Sequence, residues 1–98
     1  MNEKDDIILE ALDRLHPAAM SPTPLHWNIE NEFSQALNYE KRTNGGFSLD
    51  TLRNRTERLV DLGLIEVRRE KGSYLRITEE GRRYLSGELD ASELELDN

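Results

Sequence analysis

The spacing of apolar residues changes abruptly along this chain of 98 residues, immediately after Gly63. Before Gly63, apolar residues recur every three or four positions, which is the period of an amphipathic α-helix. After it, Ile65 and Val67 alternate with charged residues, and Leu75 and Ile77 do the same after a short turn that ends in glycine. Two such runs predict a β-hairpin. The sequence therefore predicts a mainly α-helical fold with one small hairpin (α+β).

Three helices are predicted before the hairpin and one after it. Apolar stripes and capping residues place the first helix at about Glu3–Leu15, closed by Pro17. The second begins with the N-cap Thr23 and the first helical residue Pro24 and runs to about Glu40, with an apolar stripe of Leu25, Ile29, Phe33, Ala36 and Leu37. The third runs from the N-cap Ser48 to Gly63, and the last from the N-cap Thr78 to Leu85. Thr43–Gly46 ends the second helix. The second and third helices are therefore separated by an unusually long spacer.

One domain, residues 1–87, and an acidic tail, residues 88–98, make up the predicted organisation, because a chain of this length holds a single small core. The tail contains five acidic residues and no basic one. Asp90 and Glu93 have the spacing of a capping box, which predicts a short helix. Leu89, Leu94 and Leu96 would give this tail a weak apolar edge.

Several classes of protein are excluded or disfavoured by composition. Without cysteine the chain has neither a disulfide framework nor a thiolate metal site, and no apolar run is long enough for a membrane span. The N-terminus is acidic where a secretory signal is basic, so we expect a cytoplasmic protein. No catalytic set and no glycine-rich phosphate loop is recognisable, so we expect no enzyme and no cofactor, and no small-molecule ligand can be inferred.

The two histidines make only a weak candidate for a metal site. His16 stands beside the end of the first helix and His26 near the start of the second, with carboxylates nearby. Packing or capping is the expected role of His26 and Trp27, with Trp27 in the core or in an interface. We therefore expect no bound metal.

Charge is distributed unevenly along the chain. The formal net charge is −7, and ten of the 13 basic residues are arginine. An acidic protein with few lysines is typical of a very salty cytoplasm, and the alternative is an ordinary acidic domain that stays dissolved. Residues 53–76 have a balance of +3, whereas the rest of the chain has a balance of −10. The chain is acidic everywhere except in the third helix and the hairpin.

Three helices followed by a hairpin are the elements of the winged helix-turn-helix arrangement, in which the third helix enters the major groove of DNA. The side of the third helix opposite its apolar stripe carries Thr51, Asn54 and Arg58, with Arg55 on its flank. Asparagine pairs with adenine, arginine pairs with guanine, and threonine contacts the thymine methyl group. These four residues are the predicted base-reading set, although Asp50 and Asp61 lie near the same face.

The predicted turn of the hairpin is basic. Arg68, Arg69 and Lys71 are predicted to contact phosphate or the minor groove, and the alternative is a solvated turn whose charges protect an exposed edge. Arg82 and Arg83 fit solvated positions on the last helix better than positions that contact DNA. The local excess of positive charge on the two elements that would touch DNA is the strongest functional signal in the sequence.

Two stretches resemble archaeal winged-helix regulators. They are LVDLGLIE at residues 59–66 and YLRITEEGRRYL at residues 74–85, and the closing GELD at residues 87–90 is similar to the haloarchaeal group around the phage phiH repressor. The resemblance covers residues 48–90 well and the first helix loosely. It implies a sequence-specific transcriptional regulator of a halophilic archaeon or its virus, usually a repressor, that binds double-stranded DNA.

Two further expectations concern partners. A homodimer is expected because specific sites in a genome usually need two half-sites, and the apolar stripe of the first helix with the leucines of the tail offers surface for a second copy. The alternative function is a winged-helix module that contacts protein rather than DNA. In that case the acidic first and second helices and the acidic tail form the working surface.

Overall fold

The structure, a computed structural model, describes residues 1–94, so Leu96 of the predicted apolar edge lies outside the described residues. Its helices and strands in chain order are α1 (Glu3–Leu15), α2 (Pro22–Glu30), α3 (Ser34–Leu37), α4 (Tyr39–Thr43), α5 (Leu49–Asp61), β1 (Ile65–Arg69), β2 (Ser73–Ile77), α6 (Glu79–Leu85) and α7 (Ala91–Leu94). The mainly helical fold with a small antiparallel sheet is confirmed.

Helix α1 has the predicted bounds and forms the centre of the core. It begins with a reciprocal cap, in which the Asn2 side chain accepts the Asp5 N–H and the Asp5 carboxylate accepts the Asn2 N–H, both at 3.1 Å. Its apolar residues between Ile7 and Leu12 are fully buried within the chain. The expectation that this stripe offers surface to a second copy is therefore wrong.

The predicted second helix is instead three short helices, α2, α3 and α4. The first of these, α2, has Ser21 as its N-cap and Pro22 in its first turn, whereas the sequence predicts Thr23 and Pro24. The two Ser/Thr-Pro pairs are similar, and the earlier one begins the helix. The helix breaks at Asn31, whose backbone leaves the helical conformation with φ of −120° and ψ of −84°, and whose side-chain amide donates to the Trp27 carbonyl at 2.8 Å.

A second break lies at Asn38, which adopts a left-handed conformation with φ of +53°. Asparagine tolerates this conformation better than other residues with a side chain. The apolar spacing of this segment is compatible with one helix, and Leu25, Ile29 and Leu37 are buried as a single helix would require, but Ala36 is exposed. The long spacer before α5 is thus folded, as α3, α4 and a turn.

Arg42 of α4 fastens this spacer to α1. Its guanidinium donates to the Glu10 carboxylate at 2.6 and 3.1 Å and to the Leu37 carbonyl at 2.9 Å, and it also contacts the Glu3 carboxylate. The carboxylates, Glu10 foremost, raise the pKa of Arg42 above its usual range, against a smaller lowering by burial. The spacer is therefore anchored to the central helix.

Helix α5 follows the prediction closely. The Ser48 hydroxyl accepts the Thr51 N–H at 3.1 Å, and Gly63, with φ of +80°, lies just beyond the C-terminal end of the helix. The Gly63 N–H bonds the Val60 carbonyl and the Leu64 N–H bonds the Leu59 carbonyl, which is the Schellman pattern. This tight ending brings the chain directly from α5 into the hairpin.

The hairpin has the predicted bounds, with Ile65 opposite Ile77 and Val67 opposite Leu75. A third segment extends the sheet: the Met20 N–H donates to the Leu75 carbonyl at 2.9 Å, and the Leu75 N–H donates to the Met20 carbonyl at 2.8 Å. A bridge of one residue has no alternating pattern, so the sequence did not predict it. It fixes the loop before α2 against β2.

The TEEG stretch at residues 78–81 fixes α6. The Thr78 hydroxyl accepts the Gly81 N–H at 3.0 Å, which confirms the predicted cap, and donates to the Gly63 carbonyl at 2.6 Å. A Cβ atom at Gly81 would lie 2.3 Å from the Leu64 carbonyl oxygen. Glycine is therefore required where α6 crosses the end of α5, and this motif serves the fold.

The tail contains a short helix, as its spacing predicts. The Asp90 side chain accepts the Ser92 N–H at 3.1 Å where α7 begins. Leu89 is half-buried. Within residues 1–94, no helix combines the length and the apolar character needed to cross a membrane.

Candidate nucleic-acid interface

Helix α5 has one buried side and one exposed side. Leu52, Thr56 and Leu59 are buried against the core, and the opposite side carries the exposed Asn54, as the helical period predicts. Thr51 and Arg58 are half-buried, on the side that turns toward α1. Asn54 is therefore the most accessible member of the predicted base-reading set.

A groove runs between α5, the hairpin and the start of α2, and it has a volume of about 670 Å³. We call it the α5–hairpin groove. Its lining residues are Ser21, Pro22 and Thr23 from α2 and its cap, Arg53, Thr56, Glu57, Val60 and Asp61 from α5, and Val67, Arg69, Ser73 and Leu75 from the hairpin. Arg53 and Arg69 bring positive charge to opposite walls of this groove.

The hairpin separates the basic residues that the sequence places together at its tip. Arg69 pairs with Ser73 in the strand register and lines the α5–hairpin groove, where its guanidinium lies 3.4 Å from the Ser73 hydroxyl. Arg68 pairs with Tyr74 and lies on the other face, against the loop of residues 17–19. The alternation of strand side chains produces this separation. Arg68 and Arg69 therefore face opposite ways and are not in position to contact the same part of a ligand.

Lys71 lies in the turn between the strands. It is exposed and has a left-handed backbone with φ of +55°. Its position at the tip is as predicted. From there its ammonium group is available to either face of the hairpin.

Arg55 has a partner inside the protein. Its Nε lies 3.4 Å from Oδ1 of Asp5, and the Asp5 side chain is only 1% exposed. Oδ1 of Asp5 accepts no hydrogen bond from any residue in the described part of the chain. Because a buried carboxylate needs a compensating charge, Arg55 has a role in holding α5 to the start of α1. This position weakens its case as a base reader.

Acidic side chains interrupt the exposed surface of α5. Asp50, Glu57 and Asp61 are all exposed, and the last two line the α5–hairpin groove beside Arg53. The interface is therefore of mixed charge rather than a continuous basic strip. The two cationic groups that line the groove, Arg53 and Arg69, come one from α5 and one from the hairpin.

The two aromatic residues of α2 fall into different environments. His26 is mostly buried, with Nε2 2.7 Å from the Phe47 carbonyl oxygen and Nδ1 3.4 Å from the Glu30 carboxylate, so its expected packing role is confirmed. Trp27 is 53% exposed, so of its two expected places, the core and an interface, the core is wrong.

Two features of the interface were missed by sequence reasoning. Arg53 lies on the flank of α5 that faces the hairpin, and the helical period could have indicated this once the hairpin side of α5 was known. The start of α2 enters the groove because Met20 bridges β2, and that bridge has no sequence signal. Among residues 1–94, no group of three or more histidine, aspartate or glutamate side chains is arranged to hold a metal ion.

Comparison of this chain with protein-family models, with curated proteins and with solved structures found no match.

Proposed function

We propose that this protein is a sequence-specific DNA-binding regulator of transcription, a repressor from a halophilic archaeon or its virus, with a winged helix-turn-helix fold. In this proposal α5 reads the major groove, and the hairpin is the wing that contacts the backbone. The α5–hairpin groove carries the proposal, because arginines from both elements line it beside the start of α2. A phosphate backbone that follows this groove would meet Arg53 and Arg69.

The order of elements supports the winged-helix interpretation. The chain runs from α1 through the single bridging residue Met20 to α2, and from α5 directly into two paired strands. Helix α2 packs against α5, and the spacer formed by α3 and α4 is fastened to α1 by Arg42. The spacer therefore leaves the exposed side of α5 uncovered.

Base recognition is assigned to Asn54, with Thr51 and Arg58 beside it. Asn54 is exposed on the side of α5 opposite the core, where its amide has the donor and acceptor that pair with adenine. Arg53 and Arg69 are assigned to phosphate, Lys71 to either the backbone or the minor groove, and Arg68 to a site outside the groove. Arg55 is assigned to Asp5 rather than to DNA.

A second candidate function is protein contact, and the exposed acids of α5 favour it. Asp50, Glu57 and Asp61 would repel phosphate, and they would instead attract a basic partner. At the high salt of a halophilic cytoplasm this repulsion is screened over a few ångströms. Binding of DNA should then depend on base contacts and shape, and it should persist in molar potassium chloride.

The homodimer remains part of the proposal, because two half-sites give specificity that one reading helix lacks. With the apolar residues of α1 buried, the second copy must use another surface. Light scattering at tens of micromolar protein, with and without bound DNA, tests this point. A monomer under both conditions contradicts it.

Selection of duplex DNA from a random pool, followed by titration of the selected site in molar potassium chloride, tests the proposed function. Asn54→Ala should weaken binding of the selected site by about 1–3 kcal/mol and relax preference at one base pair. Lys41→Ala is the control, because Lys41 is an exposed side chain on α4 outside the groove. If no sequence is enriched, or if Asn54→Ala binds the selected site as wild type does, the protein-contact function is favoured instead.

A further inference from the structure

Trp27 is the only tryptophan in the chain, and it is the most exposed large apolar side chain among residues 1–90. Tyr74 is next, at 39% against 53% for Trp27. Leaving an indole ring in water forgoes a large burial free energy, and tryptophan is enriched at the centres of protein–protein interfaces. The α5–hairpin groove does not include this residue.

A cleft of about 490 Å³ lies beside the indole, where the chain passes from α2 to α3. Its lining residues are Trp27, Glu30, Asn31, Glu32, Ser34 and Gln35. The backbone shapes it: α2 ends at Asn31, and the Phe33 N–H then bonds the Asn28 carbonyl at 2.7 Å, which turns the chain sharply before α3. We call this the Trp27 cleft.

The chemistry of the cleft selects a cation. Two of its six lining residues are carboxylates, three carry amide or hydroxyl groups, and the sixth is the indole; none is basic. The Glu30 carboxylate also lies 3.4 Å from His26, and both Glu30 and Glu32 are exposed. A guanidinium satisfies all of these groups at once, because it pairs with carboxylates bidentately and stacks on an aromatic face.

The protein itself contains a smaller example of this stacking nearby. The Arg14 guanidinium carbon lies 5.5 Å from the centre of the ring of Phe33, which is three residues beyond the end of α2. Phosphate is a poor occupant of the Trp27 cleft, since it would meet two carboxylates without a compensating base. The same carboxylates repel the equivalent surface of a second copy.

We propose that the Trp27 cleft binds an arginine side chain that a partner protein presents on an exposed segment. The guanidinium lies against the indole and pairs with Glu30 and Glu32. This inference is independent of DNA binding, because the cleft and the α5–hairpin groove share no lining residue. It gives the protein a second surface through which a partner is recruited.

Trp27 provides its own reporter, since all tryptophan fluorescence of the chain comes from this residue. The full chain is titrated with a short glycine-rich peptide that contains two arginines, and with the same peptide in which citrulline replaces each arginine. The arginine peptide should change the emission saturably. The citrulline peptide should bind roughly threefold to tenfold more weakly, because it lacks the charge but keeps the shape.

A pair of double variants separates a local site from general attraction to an acidic protein. Glu30→Gln with Glu32→Gln should weaken the arginine peptide by roughly fivefold or more, whereas Glu88→Gln with Glu93→Gln should change binding by less than about twofold. Both variants remove the same charge from exposed positions. Circular dichroism of each variant checks that the fold is kept.

Four results overturn the proposal. They are equal binding of the citrulline peptide, equal weakening in the two double variants, a change of Trp27 emission with duplex DNA but not with the arginine peptide, and a change of emission with protein concentration alone. The third result would place DNA at Trp27, and the fourth would place a second copy there. The proposed DNA-binding function is measured separately at Asn54, so failure of one proposal leaves the other testable.

Discussion

The α1 side and the hairpin side of this protein use charge in different ways. On the α1 side the ion pairs are internal: Asp5 with Arg55 at 3.4 Å, Glu10 with Arg42 at 2.6 Å, and Asp13 with Arg82 at 3.0 Å. On the hairpin side Arg53, Arg68 and Lys71 extend into solvent from α5 and the hairpin. Arginines thus join α1 to other helices, whereas in the basic segment Arg53, Arg68 and Lys71 face solvent, and Arg55 and Arg76 are paired with Asp5 and Glu66.

Arginine therefore has two roles that sequence counting does not distinguish. Arg42 and Arg55 join separate helices, and each is paired with a carboxylate of α1. Arg53 and Arg69 line a groove that is open to a ligand. Removal of Arg42 or Arg55 should lower stability, because each is paired across two helices. Removal of Arg53 or Arg69 should change binding alone, because exposed charges contribute little to stability.

The largest effect is expected from Asp5→Ala. This change removes the Asp5 half of the reciprocal cap of α1 and leaves Arg55 without its buried partner, so the free energy of unfolding should fall by about 2–4 kcal/mol. Urea denaturation at fixed salt measures it. Asp61→Ala, at an exposed aspartate of α5, should change stability by no more than about 0.5 kcal/mol. Equal losses in the two variants would show that Asp5 is not the internal anchor described above.

A smaller loss is expected from Arg42→Ala, which frees the spacer of α3 and α4 from α1. The variant loses charge-assisted hydrogen bonds to Glu10 and to the Leu37 carbonyl, so stability should fall by about 1–3 kcal/mol. Arg83→Ala removes an exposed pair with Glu80 within α6 and should cost less than about 0.5 kcal/mol. DNA affinity should stay near wild type in both, and a loss of affinity in Arg42→Ala alone would show that the spacer shapes the interface.

The smallest effect concerns pH and Asp6. Burial raises the pKa of Asp6 above its usual 3.8, although a hydrogen bond from the Tyr84 hydroxyl at 2.7 Å and nearby Arg42 lower it in part. A raised pKa in the folded state means that the folded chain holds this proton more tightly than the unfolded chain. Ionisation of Asp6 therefore lowers the stability of the fold as the pH rises from the pKa of Asp6 in the unfolded chain through its pKa in the folded chain.

Asp6→Asn removes that cost and keeps an acceptor for Tyr84. The free energy of unfolding of Asp6→Asn, relative to that of wild type, should rise from acid toward neutral pH. Urea titrations at several pH values measure this difference. Glu79→Gln, at an exposed residue of α6, is the control and should show a difference that changes less with pH. A difference for Asp6→Asn that stays constant or shrinks toward neutral pH contradicts the buried environment of Asp6.

Local signals were sufficient for much of the fold. The bounds of α1, α5 and the hairpin follow from period, capping residues and Gly63, because each of these elements is specified by residues next to it in sequence. The predicted helix from Thr23 to Glu40 was wrong. Its apolar spacing is that of one helix, and the breaks lie at Asn31, where the backbone leaves the helical conformation, and at the left-handed Asn38.

The candidate site was predicted less completely than the fold. The helical period placed Asn54 correctly on the exposed side of α5, whereas Arg68 and Arg69, predicted to act together at the hairpin tip, lie on opposite faces because strand side chains alternate. The pairing of Arg55 with Asp5 joins residues fifty positions apart, and only the packing of α5 on α1 brings them together. Burial of Asp5 at a cap likewise needs the whole fold.

Arg69→Ala and Arg68→Ala test the central claim most directly, because they remove the same side chain from adjacent positions on opposite faces of the hairpin. The measurement is the affinity of each variant for the selected duplex over a range of salt concentrations. We predict that Arg69→Ala binds roughly fivefold to tenfold more weakly and lowers the salt slope by about one, whereas Arg68→Ala stays within about twofold of wild type. Equal losses in both variants, or a loss in Arg68→Ala alone, would contradict the assignment of the α5–hairpin groove as the DNA-binding surface.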